Sequence, residues 1–194
     1  MLIVESDPGS VETELLAGRL ACPSCGGVLG PWGHGQERPL RRGEAEERFR
    51  PRRSRCRMCH VTHVLLPDTT LLRRRDHVEV IGTALESRAA GTGSRAIARR
   101  LGRDRSTVRN WLRSFTLVAE RVRAHFTALA YAFDPDLSPI APAGDPLRDA
   151  VAAIGAAMRA AVQRFGPKAP WRLACRLSGG ALLSNTICHL PRVS

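Results

Sequence analysis

The spacing of apolar positions changes along the chain, and those changes divide it. Residues 1–20 are acidic, and Leu15, Leu16 and Leu20 predict a short amphipathic turn of helix. Residues 21–70 hold short runs between glycine-rich turns; Val28–Trp32, Arg48–Arg55 and Val61–Leu66 read as strands. Residues 74–133 contain no proline and carry apolar residues at helical spacing. Residues 134–146, DPDLSPIAPAGDP, read as a proline-rich linker. Residues 147–194 form a C-terminal helical region, with a helix from Pro146 to Phe165 and then a tail containing Trp171, SGGALL and two cysteines.

Within 74–133 the pattern predicts four helices. The first runs from about Asp76 to Ala89, with Val80, Ile81, Ala84 and Leu85 inward. The stretch Gly91-Thr92-Gly93-Ser94 breaks it, and Ser94 suits the cap of a short second helix, Arg95–Leu101, which buries Ile97, Ala98 and Leu101. Gly102 sits at a turn, and Asp104 suits the cap of a third helix, Arg105–Phe115. That helix has two faces: Val108, Trp111, Leu112 and Phe115 pack inward, while Ser106, Arg109, Asn110 and Arg113 face out. Leu117–Phe133 reads as a fourth helix over the same core. The fold class expected from the pattern, together with the cysteine pairs Cys22/Cys25 and Cys56/Cys59, is mainly α with a small β zinc ribbon: a helix-turn-helix three-helix core plus C-terminal helices.

Cysteines add a metal expectation. Cys22 and Cys25 stand two residues apart in CPSCGG, and Cys56 and Cys59 repeat the spacing in CRMC. Each C-x2-C turn brings two thiolates to one side of a loop, and two such turns close a four-thiolate site without an open position. The expected cofactor is one structural Zn2+ on Cys22, Cys25, Cys56 and Cys59. Four free thiols or two redox pairs are the competing reading, although a redox pair has no need of a duplicate. His34, His60 and His63 read as polar strand or loop residues, and Cys175 and Cys188 as ordinary buried thiols.

Charge then points to a partner. The 194 residues carry a net charge of +12, and Lys168 is the one lysine among 30 cations. From Arg38 to Arg75 there are 12 arginines against four acids; from Arg88 to Arg113 there are eight against Asp104 alone. Such patches suit a polyanion. Aromatic residues make up 5%, which argues against a protein built mainly from base-stacking platforms. The expected partner is double-stranded DNA. Ser106, Arg109, Asn110 and Arg113 are the expected base-reading set, Arg95, Arg99, Arg105 and the Arg50–Arg57 cluster the phosphate holders, and Thr107 a further expected DNA-binding residue. The basic insert, residues 26–55, reads equally as a phosphate-contacting arm or a solvated loop.

Residues 90–115 resemble the helix-turn-helix of transposases and resolvases, through Ala96, Ile97, Ala98, Leu101, Gly102, Ser106, Thr107, Val108, Trp111 and Leu112. A zinc ribbon followed by that module resembles the N-terminal part of insertion-sequence transposases and their accessory proteins. The whole chain looks like an uncharacterised actinobacterial family that shares CPxCGG, the second cysteine pair and the helix-turn-helix. The resemblance implies a sequence-specific, transposon-associated or transcription-regulating DNA-binding protein. It implies no enzyme: a transposase core needs three carboxylates holding two metal ions, and after Leu117 only Glu120, Asp134, Asp136, Asp145 and Asp149 remain. The tail around Ser178 and Ser184 lacks a nucleophile elbow and reads as a glycine-rich helix end. A non-catalytic adaptor binding protein or RNA, and the DNA-binding subunit of a split recombinase, are the alternative functions.

Val151, Ile154, Met158, Ala161 and Phe165 recur in steps of three and four, which suits either packing on the chain's own core or a homodimer seam through residues 147–165. The opening MLIVESDPGS lacks a basic region followed by an apolar run, and no run of about 18 apolar residues follows. The expected location is therefore the cytoplasm, at the nucleoid, with no membrane span.

Overall fold

The structure, a computed structural model, describes residues 1–184 of the chain. Cys188 lies outside the described residues. Six strands and seven helices make up the described part. They are β1 (Leu2–Val4), α1 (Pro8–Leu16), β2 (Leu29–His34), β3 (Arg38–Arg42), β4 (Ala45–Phe49), β5 (Arg52–Cys56) and β6 (Thr62–Pro67), followed by α2 (Val78–Ala89), α3 (Ser94–Leu101), α4 (Arg105–Thr116), α5 (Ala119–Phe133), α6 (Pro146–Phe165) and α7 (Pro170–Leu177).

This corrects the expected fold class. The fold is mixed α/β: a four-stranded sheet in the order β1-β6-β5-β2, a separate β3-β4 hairpin, and helices interlocked with both. Three features defeat the picture of a small ribbon attached to a helical core. First, Leu2-Ile3-Val4 is a strand, paired in parallel with β6 so that Leu2 lies opposite Leu65 and Ile3 opposite Leu66. Three consecutive apolar residues carry no periodicity, so burial decided by β6 overrides the local signal. Second, the basic insert is ordered. Arg42 pairs with Ala45 across a two-residue loop whose first residue, Gly43, has φ +59°, as short hairpin loops favour. Some of its charges have partners: Arg41 bonds Asp76 at 2.8 Å, Arg48 donates to Glu37 at 2.9 Å and Arg52 to Glu12 at 2.8 Å. Third, α7 occupies the tail and ties the sheet to the helices. Arg172 donates to the buried Asp68 at 2.9 Å, the Cys175 thiol to the Thr70 carbonyl at 3.5 Å, and the Leu72 amide to the Gly180 carbonyl at 3.1 Å.

Asp76 joins the hairpin to the helices. Its side chain is 3% exposed and accepts from Arg41 Nη2 at 2.8 Å and from Arg103 Nε at 2.6 Å. Arg41 belongs to β3 and Arg103 to the turn between α3 and α4. Backbone bonds continue the junction, from the Arg41 amide to the Arg75 carbonyl and from the His77 amide to the Arg41 carbonyl.

Two apolar clusters form. The larger gathers Ile81 and Leu85 of α2, Ile97 of α3, Val108, Trp111 and Phe115 of α4, Val122 and Phe126 of α5, and Ile154 and Met158 of α6. Ile154 and Met158, expected at either the core or a dimer seam, are thus covered within the chain, whereas Phe165 is exposed. The segment 134–146 forms no regular element, yet Leu137 and Ile140 pack on this cluster. The smaller cluster holds Val4, Val11, Leu15, Cys22, Leu29, Cys56 and Leu65 beneath α1. Leu15 of α1 is fully buried, and Asp7 caps that helix by accepting from the Ser10 amide at 2.7 Å.

Trp171 of α7 lies flat against Gly82 of α2 and donates its indole N–H to Glu86 at 2.8 Å. A Cβ at Gly82 would stand 2.2 Å from the indole ring. Alanine is ordinarily favoured over glycine within a helix by about 1 kcal/mol. Here Gly82→Ala is expected to destabilise instead, by about 1–3 kcal/mol of overpacking, lowering Tm by roughly 2–12 °C. Thermal denaturation of the variant checks it; a Tm equal to or above that of the unmodified chain contradicts the packing.

Candidate metal centre and nucleic-acid interface

The two C-x2-C turns face each other. The four Sγ atoms of Cys22, Cys25, Cys56 and Cys59 all lie within 4.8 Å of one another, with Cys22 to Cys59 at 3.7 Å and Cys25 to Cys56 at 3.5 Å. A tetrahedral ion bonded to sulfur at about 2.3 Å holds its ligands about 3.8 Å apart, so the four thiols can hold a metal ion. The first pair hangs from the loop before β2 and the second from the turn between β5 and β6.

The backbone around the pairs repeats. The residue after each second cysteine is left-handed: Gly26 at φ +75° and His60 at φ +60°. That conformation turns successive amides toward a sulfur. The Met58 and Cys59 amides each approach Cys56 Sγ at 3.4 Å. Gly27 has a different reason, because a Cβ there would stand 2.9 Å from Met58 Cβ and 3.2 Å from Cys56 Sγ.

His63 departs from the sequence reading. It is 4% exposed, and its Nε2 lies 3.3 Å from Cys22 Sγ. A ring N–H aimed at a ligating sulfur stabilises its thiolate and fixes its direction, the role that groups just outside a metal's ligand set commonly fill. His63 shares the inward face of β6 with Leu65, two residues on, and that period-two placement was the available signal. His34 and His60 are exposed.

Without a metal, Cys22, Cys56 and Cys59 do not ionise alike. Burial raises the Cys22 thiol, but the Ser24 and Cys25 amides, His63 and Cys59 outweigh it and bring the thiol down to about 7. The Cys59 amide, assisted by Met58 and Cys25, brings Cys56 down to about 6 against the effect of burial. Cys59 takes the opposite course: the Val61 amide favours its thiolate, yet the adjacent sulfurs and burial push it up to about 12. A bound cation removes that mutual repulsion by displacing the remaining protons.

The second concentration of expected site residues lies on α3 and α4. Gly102, at φ +60°, ends α3 and permits the sharp turn into α4. Ser94 is the first residue of α3 rather than its cap; Gly93 holds the cap position, and Asp104 caps α4 without a side-chain bond. Val108, Trp111, Leu112 and Phe115 of α4 are buried. Ser106, Arg109, Asn110 and Arg113 are exposed and line one cleft of about 500 Å³ together with Arg88 and Ser94. Arg95, Arg99 and Arg105 are exposed outside that cleft, and Thr107 is half-buried.

Internal partners thin the arginine clusters. Arg100 donates to Ser87, and Arg103 is held by Asp76. Arg52 is turned inward to Glu12, with two bonds at 2.8 and 3.0 Å, and Arg50 donates to the Gly35 carbonyl. Among the described residues, Arg95, Arg99, Arg105, Arg109 and Arg113 have neither an ion pair nor a side-chain hydrogen bond, and neither do Arg53 and Arg57. No helix of the described residues is long and apolar enough to cross a membrane.

Over residues 22–111 the chain is similar to a family described as a domain of unknown function, DUF6431. The match joins both cysteine pairs and the first seven residues of α4 in one unit. No curated protein and no solved structure matches.

The His63 geometry has a measurable consequence. His63→Ala is expected to weaken metal affinity roughly 10- to 100-fold while leaving the stoichiometry unchanged. A competition titration against a chromophoric chelator reads this directly. An affinity unchanged by the substitution contradicts a supporting role for His63.

Proposed function

We propose that the chain is a sequence-specific double-stranded DNA-binding protein whose α3–α4 pair acts as a helix-turn-helix and whose metal centre is structural. The observation that carries the reading is the outer face of α4. Ser106, Arg109, Asn110 and Arg113 converge on one cleft with Arg88, and none of their side chains is engaged by the protein itself. Arginine presents a planar fork that bonds both acceptors on a guanine edge, and asparagine pairs with adenine in the same groove. The opposite face of α4 is anchored by four buried apolar side chains, each contributing about 1.5–3 kcal/mol. Such a helix is rigid enough to hold a register on a duplex. A transposon-associated or transcription-regulating role follows the resemblance of residues 90–115 to transposase and resolvase modules.

The metal we assign is zinc. Four thiolates at tetrahedral separation, with no open position and with amides and His63 aimed at the sulfurs, suit Zn2+ held for structure rather than catalysis. Elemental analysis of protein purified under reducing conditions is expected to give one zinc per chain. A ratio well below one, or another metal in its place, contradicts the assignment.

The interface reading separates two kinds of arginine. Arg109→Ala is expected to cost roughly 1–3 kcal/mol on a preferred site and little on random duplex. Arg99→Ala is expected to weaken both duplexes about equally and to reduce the salt slope by about one. Matched titrations of both variants at several salt concentrations provide the check. Equal losses on both duplexes for Arg109→Ala would reduce α4 to an electrostatic handle.

A further inference from the structure

The four-stranded sheet has two faces of different character. One lies over the smaller apolar cluster beneath α1. The other bears Arg53 and Arg55 on β5, Arg57 just past its end, and Gly30 and Trp32 on β2. Gly30 lies opposite Arg55 in the antiparallel register, so the two share a face. Trp32 is 47% exposed, and the Arg55 guanidinium lies 4.7 Å from its ring centroid. Trp111 and Trp171 are 2% and 7% exposed. An exposed indole therefore stands out among the described tryptophans.

Cations surround it in order. Residues two apart on a strand lie about 6.8 Å apart on the same face, so Arg53 and Arg55 stand in a row, and Arg57, in the turn that follows, brings further positive charge beside Gly30. Gly30 leaves room for Arg57, whose Nε would stand 3.4 Å from a Cβ there. Arg55 is steadied by donating to the His60 carbonyl at 3.3 Å. A shallow cleft of about 300 Å³ opens between Trp32, Arg55, Arg57 and His60. Among the described residues no carboxylate pairs with any of the three arginines.

We infer that this open face binds an unpaired nucleic-acid strand, with Trp32 and the Arg55 plane stacking a base and Arg53 and Arg57 holding phosphates. Charge chooses a polyanion, and the indole chooses its kind. In a duplex the base faces are covered by their neighbours, whereas an unpaired strand offers them to aromatic rings and guanidinium planes. The face is separate from the α4 cleft and shares no residue with it, so the chain carries distinct surfaces for paired and unpaired strands.

The test uses the full chain with its metal bound. Unstructured oligo(dT) and oligo(U) of roughly twelve nucleotides are the single-strand probes, with a random duplex and poly-glutamate as comparisons. Intrinsic fluorescence is expected to quench saturably on either oligonucleotide, because Trp32 is the exposed indole; the two arms show whether the strand is DNA, RNA or both. Trp32→Ala is expected to weaken single-strand binding roughly 5- to 150-fold and duplex binding less than twofold. Trp32→Phe is expected to keep most of the affinity, and Arg57→Ala to reduce the single-strand salt slope by about 0.7. Unchanged affinity in Trp32→Ala, equal losses on strand and duplex, or poly-glutamate binding as tightly as the oligonucleotides would each overturn the inference. The duplex arm reads the α4 surface independently, so loss of one activity does not mask the other.

Discussion

A single buried carboxylate holds the molecule's parts in register. Asp76 is bonded at once to Arg41 of the hairpin and Arg103 of the α3–α4 turn, all three converging where the sheet region passes into the helices. Arg103 is 6% exposed, so neither it nor Asp76 can be relieved by water. Removing Asp76 costs about 3–5 kcal/mol, because the buried Arg103 is then left uncompensated, whereas loss of Arg41 leaves Asp76 paired with Arg103. The outward aim of α4 depends on this junction, since the turn that launches α4 is the segment that Arg103 fastens. Arg172 and Asp68 make a second, similar tie between α7 and the end of β6.

The metal site and the helices stabilise different regions. The apolar cluster under α1 is small, and two of its members, Cys22 and Cys56, are themselves candidate ligands. A sheet with so little core would draw folding energy from an ion held by the four thiols. The helices rest on a far larger cluster that reaches from Leu71 to Leu183. Such an ion would bear chiefly on the shape of the sheet and its arginine face, while α4 is held by packing. One chain thus carries two chemically distinct surfaces, one on a sheet with little core and the other on the larger helical core.

Much of the helical half was legible in the sequence because its apolar residues recur with a clean period. The Pro146–Phe165 helix, the Gly102 turn and the inward set on α4 all follow from spacing and turn chemistry. The cysteine pairs were legible for the same reason, since C-x2-C spacing is itself geometry. What escaped had weak local signals. β1 is three residues long, and its pairing with β6 is non-local. The hairpin hid behind charge, because Leu40 is the one buried residue within Arg38–Phe49 and charged side chains take the place of apolar alternation. The helix α7 had a legible signal in Pro170 followed by Trp171, Ala174 and Cys175 at helical spacing, overshadowed by the glycines after it. Arginine counts could not show that Arg52, Arg100 and Arg103 point to internal partners. The low aromatic content likewise obscured Trp32, because a surface platform needs one exposed ring and not many.

The central claim is that a folded helix face reads DNA sequence. The most direct measurement is repeated selection of duplexes from a randomised library by the full, metal-loaded chain, followed by sequencing of the enriched pool. Convergence on one short motif containing guanine or adenine positions suited to Arg109, Asn110 and Arg113 is expected. A pool that is retained yet stays random after repeated rounds would contradict it, leaving the positive charge of α3 and α4 as a sequence-blind surface.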